Sequence, residues 1–470
     1  MGKNEKLLKK LKEDLLVFLL NFIIISTFSL TESIYIDEAI SFFCSKYYLT
    51  DCLYFDPSPP LFTFFLKIST LLLGFDVVTQ RIFLAVFSSF SVLVIIRAVE
   101  IYRKLKLSDK IFLSIIISFL PIIYSSNLVR PYVFSLMFSS VSFSHFLRFL
   151  KTNKKNYLFK SYLLDVAGGL FFYFNFFLIL IKVLFLLWQR SIVFDSIKFL
   201  LFLSIFLLPF LFNAYIAYDA KIAGIFWYGN YGDYVNSFLL NFPIELFKHS
   251  LLARLPKIDF LPILIVLSQL AFFVCLFNKE KQLVKLFLLI LVFILGVFLA
   301  FASQRLYLIL SRQYISLTIP LLTLLIILFP FNLKFLVILP LTFLPMTYFN
   351  LQYMKYLWFY GPSYEVYEVL PLNSSVITTP SFYSKGLWYC EMKNRKNISI
   401  FEPIDDYWFE KNISVFRYYK IDRSEYEPPI KVKIENLDNF IKVFYGIEAK
   451  QCKEIIKEIY SSEGKVIVCR

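Results

Sequence analysis

Histidine occurs only at His145 and His249 in 470 residues, and no two cysteines form a CxxC pair or stand beside a histidine. Imidazole and thiolate build zinc centres, so without such spacing no zinc centre is expected. Glycine is scarce at 12 residues, and no GxGxxG or GxxxxGK[ST] run is present. A nucleotide cradled by a glycine-rich loop is excluded with it. Charge is also thin, at 18% of residues, against about 25% in soluble domains. The formal net charge of +15 raises the question of nucleic acid. In the apolar part of the chain, however, the surplus sits at the ends of apolar runs, which is the positive-inside pattern. Nucleic acid is therefore set aside as a partner.

What the chain has is apolar length. It is 58% hydrophobic and 20% aromatic, with a mean hydropathy of +0.66. Runs close to the ~20 residues that cross a hydrocarbon core recur along it. The first, Leu15 to Leu30, follows Lys3, Lys6, Lys9, Lys10 and Lys12. No small-residue cleavage site follows, so it reads as a retained anchor. Leu61 to Leu73 is apolar but short and carries Lys67, which suits an interfacial or re-entrant helix. A span starting near Ile82, with Arg81 at its opening, ends in Arg97, Arg103, Lys104, Lys106 and Lys110. Ile111 to Val129 returns, and Pro131 to Leu150 goes back to Arg148, Lys151, Lys154, Lys155 and Lys160.

Residues 162–188 fit either one tilted helix or a hairpin turning near Asn175. The hairpin keeps Arg190 and Lys198 on the side of the other basic loops and is the reading adopted. Asp165 and Lys182 inside it could pair or mark a polar path, and no role is assigned to them. Further runs cover Phe199–Ala217, Phe260–Phe277, Leu283–Ala302, Leu306–Phe329 and Phe335–Phe349. The expected fold is an α-helical polytopic membrane protein with about 11 membrane segments. Its N-terminus is inside, and loops 32–80 and 218–257 and the C-terminal domain are outside.

From Met354 the pattern changes. NSSVITTP, NISIF and KVIVC read as strands, while SFYSKGLWYC and residues 448–460 read as helices. Residues 354–470 are therefore expected to form a small α/β extracytoplasmic domain behind a membrane domain of residues 1–353. Asn373, Asn397 and Asn412 begin sequons, which carry little weight alone. Cys44 and Cys52 share the first loop, and Cys390, Cys452 and Cys469 the tail; outward placement permits disulfides there without fixing the pairs.

The chemistry is concentrated near the outer ends of these spans. Asp37 and Glu38, in YIDEA, follow the first span directly; a solvated helix start would look the same. DPSPPL supplies Asp56 and a stiff Pro-Pro element ahead of the short apolar helix. Arg81, then Arg130 and Tyr132 in NLVRPY, and Arg312 and Tyr314 in SRQYISLTIP occupy further outer ends. An arginine at such a depth needs an anion or must snorkel. Several of them near one carboxylate pair suit an anionic, lipid-linked substrate. Trp227, Tyr228, Asn230 and Tyr231 form an aromatic outer loop, with headgroup anchoring as its default role.

The order DEA, PPL with a short apolar helix, G-F-D-x-x-x-x-R, R-P-Y and R-x-Y-x-x-x-x-x-P resembles the GT-C glycosyltransferases. It is similar to the dolichyl-phosphate-mannose protein mannosyltransferases and the lipid A aminoarabinose transferase. The resemblance covers Asp37 to Pro320, and VITTPSFYSKGLWYC looks like the outward domain of some members. It implies Asp37 as catalytic base with Glu38 beside it, and Asp56, Arg81, Arg130, Tyr132, Arg312 and Tyr314 as substrate-binding residues. There are two departures. Ser58 and Pro59 stand where the family often has His or Lys before PPL, and Gln313 separates Arg312 from Tyr314. Lys46, Lys67 or Arg81 would then take over the phosphate contact.

The expected activity is inverting transfer of a sugar from a polyprenyl-phosphate donor to an extracytoplasmic lipid, glycan or protein, at the plasma membrane. Polyprenyl phosphate is already a good leaving group, so one general base suffices, where a glycosidase uses two carboxyl groups. No cofactor is assigned; a divalent cation stays open, with Asp56 as the additional loop carboxylate. The alternatives are a transporter or flippase of a lipid-linked sugar and a non-catalytic membrane assembly protein.

Overall fold

A computed structural model describes residues 3–30, 36–46, 60–120, 123, 126–189, 281–303, 315–328, 363–378, 399–403, 415–419, 430–433, 440–445, 454–461 and 464–469. Helices dominate. They are α1 (Lys3–Ser29), α2 (Ile36–Lys46), α3 (Pro60–Leu73), α4 (Val77–Glu100), α5 (Leu107–Ser118), α6 (Tyr132–Thr152), α7 (Lys155–Phe171), α8 (Phe176–Trp188), α9 (Lys281–Ser303), α10 (Ile315–Leu328) and the short α11 (Ser363–Glu368). Among the described residues, α4 and α6 are long and apolar enough to cross a membrane. The expected runs at 199–217, 260–277 and 335–349, and loop 218–257, lie outside the described residues.

The chain divides into two compact units. One is helical and comprises residues 1–29, 57–62 and 81–348. The other comprises 30–56, 63–80 and 349–470, so most of the first loop groups with the C-terminal segment.

At one end of the helical unit, charges from three helices meet. Arg97 of α4 donates to Asp14 of α1 and to Glu100, one turn further along α4. Lys110 of α5 pairs with Glu13 and with Glu100, both at 2.8 Å. Sequence reading had placed Arg97 and Lys110 in a basic cluster; in the fold both are matched by carboxylates. Deeper along the same helices, Asn21 of α1 accepts hydrogen bonds from Ser114 (2.5 Å) and Ser118 (2.8 Å) of α5. Each ties α1 to α5 by a polar group buried among apolar side chains.

Two boundaries differ from the sequence reading. Arg81 does not open its helix, because α4 starts a turn earlier at Val77. Gly74, at φ +81°, ends α3 in the left-handed conformation that glycine adopts without strain. Asp76 then accepts from the backbone N–H and the hydroxyl of Thr79, both at 2.7 Å, as a helix-starting residue does. Within the span expected at Ile111–Val129, α5 ends at Ser118, with Phe119 as its C-cap, and Ile123 is again helical. The cause is Pro121, which disfavours helical geometry in the residue before it and supplies no N–H.

The chain does turn back within residues 162–188. After α7, Phe172 is extended (φ −152°, ψ 113°), Tyr173–Asn175 form a single 3-10 turn, and α8 follows. Contacts run in opposite order on the two arms: Gly169 meets Phe176, while Asp165 and Ser161 meet Lys182. The tip is held by Ser135 of α6, which donates to Asn175 Oδ1 at 2.5 Å. Gly168 is required there, because a Cβ at that position would sit 2.1 Å from Asn175 Nδ2. Phe134 of α6 stacks on Phe171 at 4.4 Å and meets Phe87 of α4 at 5.2 Å, closing the core around the tip.

In the second unit, seven strands form one sheet: β1 (Ser375–Thr378), β2 (Ser399–Pro403), β3 (Val415–Tyr419), β4 (Ile430–Lys433), β5 (Ile441–Tyr445), β6 (Ile455–Ser461) and β7 (Gly464–Cys469). Their order is β4-β3-β2-β1-β5-β7-β6. β1 runs parallel to β2 and β5, and the outer pairs are antiparallel. Central β1 is buried at Val376, Ile377 and Thr378. The three strands expected from sequence are β1, β2 and β7. The helix expected at 448–460 is corrected: Ile455–Ser461 is a strand, paired with β7 from Ile455↔Cys469 to Ser461↔Gly464. Ile455, Ile456, Ile459 and Tyr460 favour strand, and the adjoining β7 edge supplies hydrogen bonds that an isolated amphipathic helix lacks. The helix expected over SFYSKGLWYC lies outside the described residues.

Candidate functional site

At the end of the helical unit away from the charge network, the polar groups are arranged around one amide. Asn127 is 2% exposed. Its Nδ2 donates to Ser29 Oγ at the end of α1 (2.7 Å) and to the backbone carbonyl of Arg81 in α4 (3.1 Å). Its Oδ1 accepts from Ser88 Oγ at 2.9 Å, and Ser126 Oγ lies 3.4 Å from the Ser88 hydroxyl. One side chain thus joins α1, the start of α4 and the turn leading into α6.

Arg81, also 2% exposed, is thereby fixed beside the 126–131 turn. Arg130 follows Asn127 by three residues, a separation of at most about 11 Å along an extended chain. Tyr132, 4% exposed, begins α6 and meets Phe172 of the hairpin tip edge-on at 5.4 Å. Arg81, Arg130 and Tyr132 therefore share one end of the unit. Arg312 and Tyr314 lie outside the described residues. The chain just after them is at the same end: Ser316 of α10 donates to the Phe174 carbonyl of the tip at 3.1 Å.

Asp37 and Glu38 lie in the first turn of α2, and Glu38 is fully buried. α2 belongs to the second unit, with most of α3. Within that unit, Gln80 donates to the Gly74 carbonyl at 2.8 Å and accepts from Ser69 at 2.9 Å, bracing α3 against the turn into α4. Lys67 of α3 is exposed. Asp56, Ser58 and Pro59 lie outside the described residues. Among the described residues no His, Cys, Asp or Glu group has the makings of a metal site. Cys44 is a buried thiol rather than half of a disulfide, whereas Cys469 is disulfide-bonded.

A second polar group lies between the hairpin arms. Lys182 Nζ donates to Asp165 Oδ2 (2.6 Å), Ser161 Oγ (2.8 Å) and Ser142 Oγ of α6 (2.5 Å), with none of the four side chains more than 1% exposed. A lysine touching two serine hydroxyls has the makings of a nucleophile and base. One observation argues against that use: Nζ is already engaged by the Asp165 carboxylate as well as by both hydroxyls, with all four side chains buried. The pair that sequence left without a role is a packing element.

Sequence reasoning missed Asn127. The signal was in SSNLVRPY, where three polar residues precede the arginine inside an apolar stretch. Nothing local shows that an asparagine will meet a helix end and a backbone carbonyl distant in the chain. No family model and no curated protein matches this chain.

Proposed function

We propose that the chain is a multi-pass membrane glycosyltransferase of the GT-C type, moving a sugar from a polyprenyl-phosphate donor to an extracytoplasmic lipid, glycan or protein with inversion at the anomeric carbon. The acceptor hydroxyl attacks C1 while Asp37 takes its proton. The C1–O bond to phosphate breaks, and the polyprenyl phosphate leaves with the bonding pair. Glu38 and Asp56 assist substrate binding, and Arg81, Arg130 and Arg312, with Tyr132 and Tyr314, meet the donor. A cation held near developing phosphate charge lowers the barrier without proton exchange.

The observation that carries this reading is the gathering of Arg81, Arg130, Tyr132 and the start of α10 around Asn127 and the hairpin tip. Exposed apolar stripes support a lipid setting. Leu15, Leu19 and Ile23 on α1 are 56%, 45% and 64% exposed, and Phe159 and Leu163 on α7 are 56% and 50% exposed. Such stripes suit hydrocarbon as their solvent. Buried serines of α6 add to this, with Ser139 and Ser140 returning hydrogen bonds to carbonyls one turn back, at Ser135 and Leu136. The disulfide at Cys469 suits a C-terminal domain outside the reducing cytosol.

The test is full-length protein reconstituted with polyprenyl-phosphate sugars and assayed for transfer to lipid, glycan and peptide acceptors. Transfer that survives intact in Asp37→Asn sinks the proposal. A transporter of lipid-linked sugar is the second reading, favoured by the helix break at 172–175 and the buried Asp165–Lys182 pair. Movement of an unaltered donor across proteoliposomes without transfer would select it.

A further inference from the structure

Glu13 and Asp14 tie α1 to Lys110 of α5 and Arg97 of α4. Lys3–Lys12 carry the same helix past that level, over about 15 Å at 1.5 Å per residue. Three large apolar side chains stand in the open there: Leu7, Leu8 and Leu11 are 69%, 54% and 65% exposed. Leu7 and Leu11 begin a ladder at every fourth position that continues through Leu15, Leu19 and Ile23. The later rungs are the stripe that faces hydrocarbon in the proposed function. At about 100° per residue such a ladder drifts only slowly round the helix. The apolar arc is therefore unbroken from the extension into the buried length of α1. Lys10 and Lys12, both exposed, flank the arc on its two sides, and exposed Lys9 stands opposite.

Leucines flanked by lysines at a bilayer surface suit one environment. The headgroup layer of each leaflet is about 5–8 Å deep. Held upright, the extension would carry Leu7 beyond that layer into water. Leaning with its leucines downward, it keeps the arc at the acyl boundary while the lysine stems reach up to the phosphates. The lysines select an anionic leaflet over a neutral one. A groove on a separate protein would have to end at the bilayer surface, and the arc does not end there.

We propose that the Lys3–Lys12 extension of α1 binds anionic phospholipid headgroups of the leaflet it emerges from, with Leu7, Leu8 and Leu11 at the acyl boundary and Lys10 and Lys12 on the phosphates. The side chains make the contact, and the helix terminus plays no part. The inference rests on the helical unit being membrane-embedded and not on the sugar-transfer chemistry.

The test is hydrogen exchange of the full chain in nanodiscs of phosphatidylcholine, with and without phosphatidylglycerol. A lysine near an anionic surface is worth about fivefold in binding. The amides of Leu7–Lys12 should therefore exchange at least about tenfold more slowly in the anionic discs. Lys10→Gln with Lys12→Gln should remove most of that slowing, and so should about 1 M salt, where the Debye length is about 3 Å. Leu7→Ser with Leu11→Ser should reduce it as well, because charge alone does not seat the helix. These variants touch none of the ion-paired residues, and unchanged exchange in α5 and α6 verifies their fold. Equal exchange in the two discs overturns the inference. Slowing that the lysine variant retains also overturns it, since the anionic surface then acts without these side chains. Slowing confined to discs that hold two copies assigns the arc to a second copy instead. Free exchange of α4 and α6 in both discs removes the membrane reading, and this inference with it.

Discussion

At one end of the helical unit, Arg97 and Lys110 are met by Asp14, Glu13 and Glu100; at the other, Arg81 and the turn before Arg130 are organised by an asparagine and three serines. The first arrangement spends its cations on the fold, because each guanidinium or ammonium meets carboxylates from neighbouring helices. The second uses neutral groups for scaffolding. The same structural problem, joining α1 to its neighbours, has received a charged solution at one end and a neutral one at the other.

The largest expected effect tests the proposed chemistry. Asp37→Asn should lower transfer by roughly 10²- to 10⁴-fold, the usual worth of a general base, in a protein that still folds and still binds the polyprenyl-phosphate sugar donor. Steady-state transfer beside the binding assay separates those quantities.

Between the two ends, the hairpin pair should behave as fold rather than site. Lys182→Met leaves Asp165 buried without its cation and should cost about 3–5 kcal/mol, whereas Asp165→Leu with Lys182→Met should recover most of that. Thermal or denaturant unfolding in detergent across the double-mutant cycle measures it. Single and double variants of equal stability would show that the ion pair does not hold the hairpin.

The charged end should then show itself as pH dependence of stability. The hydrogen bond to Lys110 holds Glu13 below its ordinary value of 4.5. Burial works against the Lys110 charge, but Glu100 and Glu13 outweigh it and lift its pKa above 10.5. A lowered carboxylate stabilises the fold above its unfolded value and loses that contribution as pH falls through its folded value. A raised lysine stabilises below 10.5 and loses it as pH rises further. The network should therefore hold between these limits and weaken outside them. Glu13→Gln should flatten the acid limb of a melting-temperature profile, and an unchanged limb would remove Glu13 from the account. The smallest effect is expected at Gly74→Ala, where φ +81° should cost about 1 kcal/mol and loosen the α3–α4 corner without touching the charged end.

Much of this was legible in the sequence for local reasons. Apolar length gave α1, α4, α6 and α9, and Asn175 in its apolar run marked the hairpin tip. Alternating β-branched residues marked β1, β2 and β7. LLGFDVVT held a stop at Gly74, read as the end of the short run at Leu73, and a start at Asp76, which opening the next span at Arg81 passed over. The strand at Ile455–Ser461 was missed because its hydrophobic spacing fits a helix nearly as well, and only its partner β7 distinguishes the two. The cations at Arg97 and Lys110 read as a basic cluster because their acidic partners lie one helix away.

By itself the sequence determined the apolar runs, the position of Asp37 behind the first of them, and the residues at which helices must stop, since those follow from hydrophobic length and from the backbone limits of proline and glycine. Tertiary structure alone decided which carboxylates meet Arg97 and Lys110, that Lys182 packs against Asp165 and two serines, and that Asn127 ties the end of α1 to α4. Hydrogen bonds and ion pairs between residues far apart in the chain are set by helix packing, and no local pattern encodes the partner.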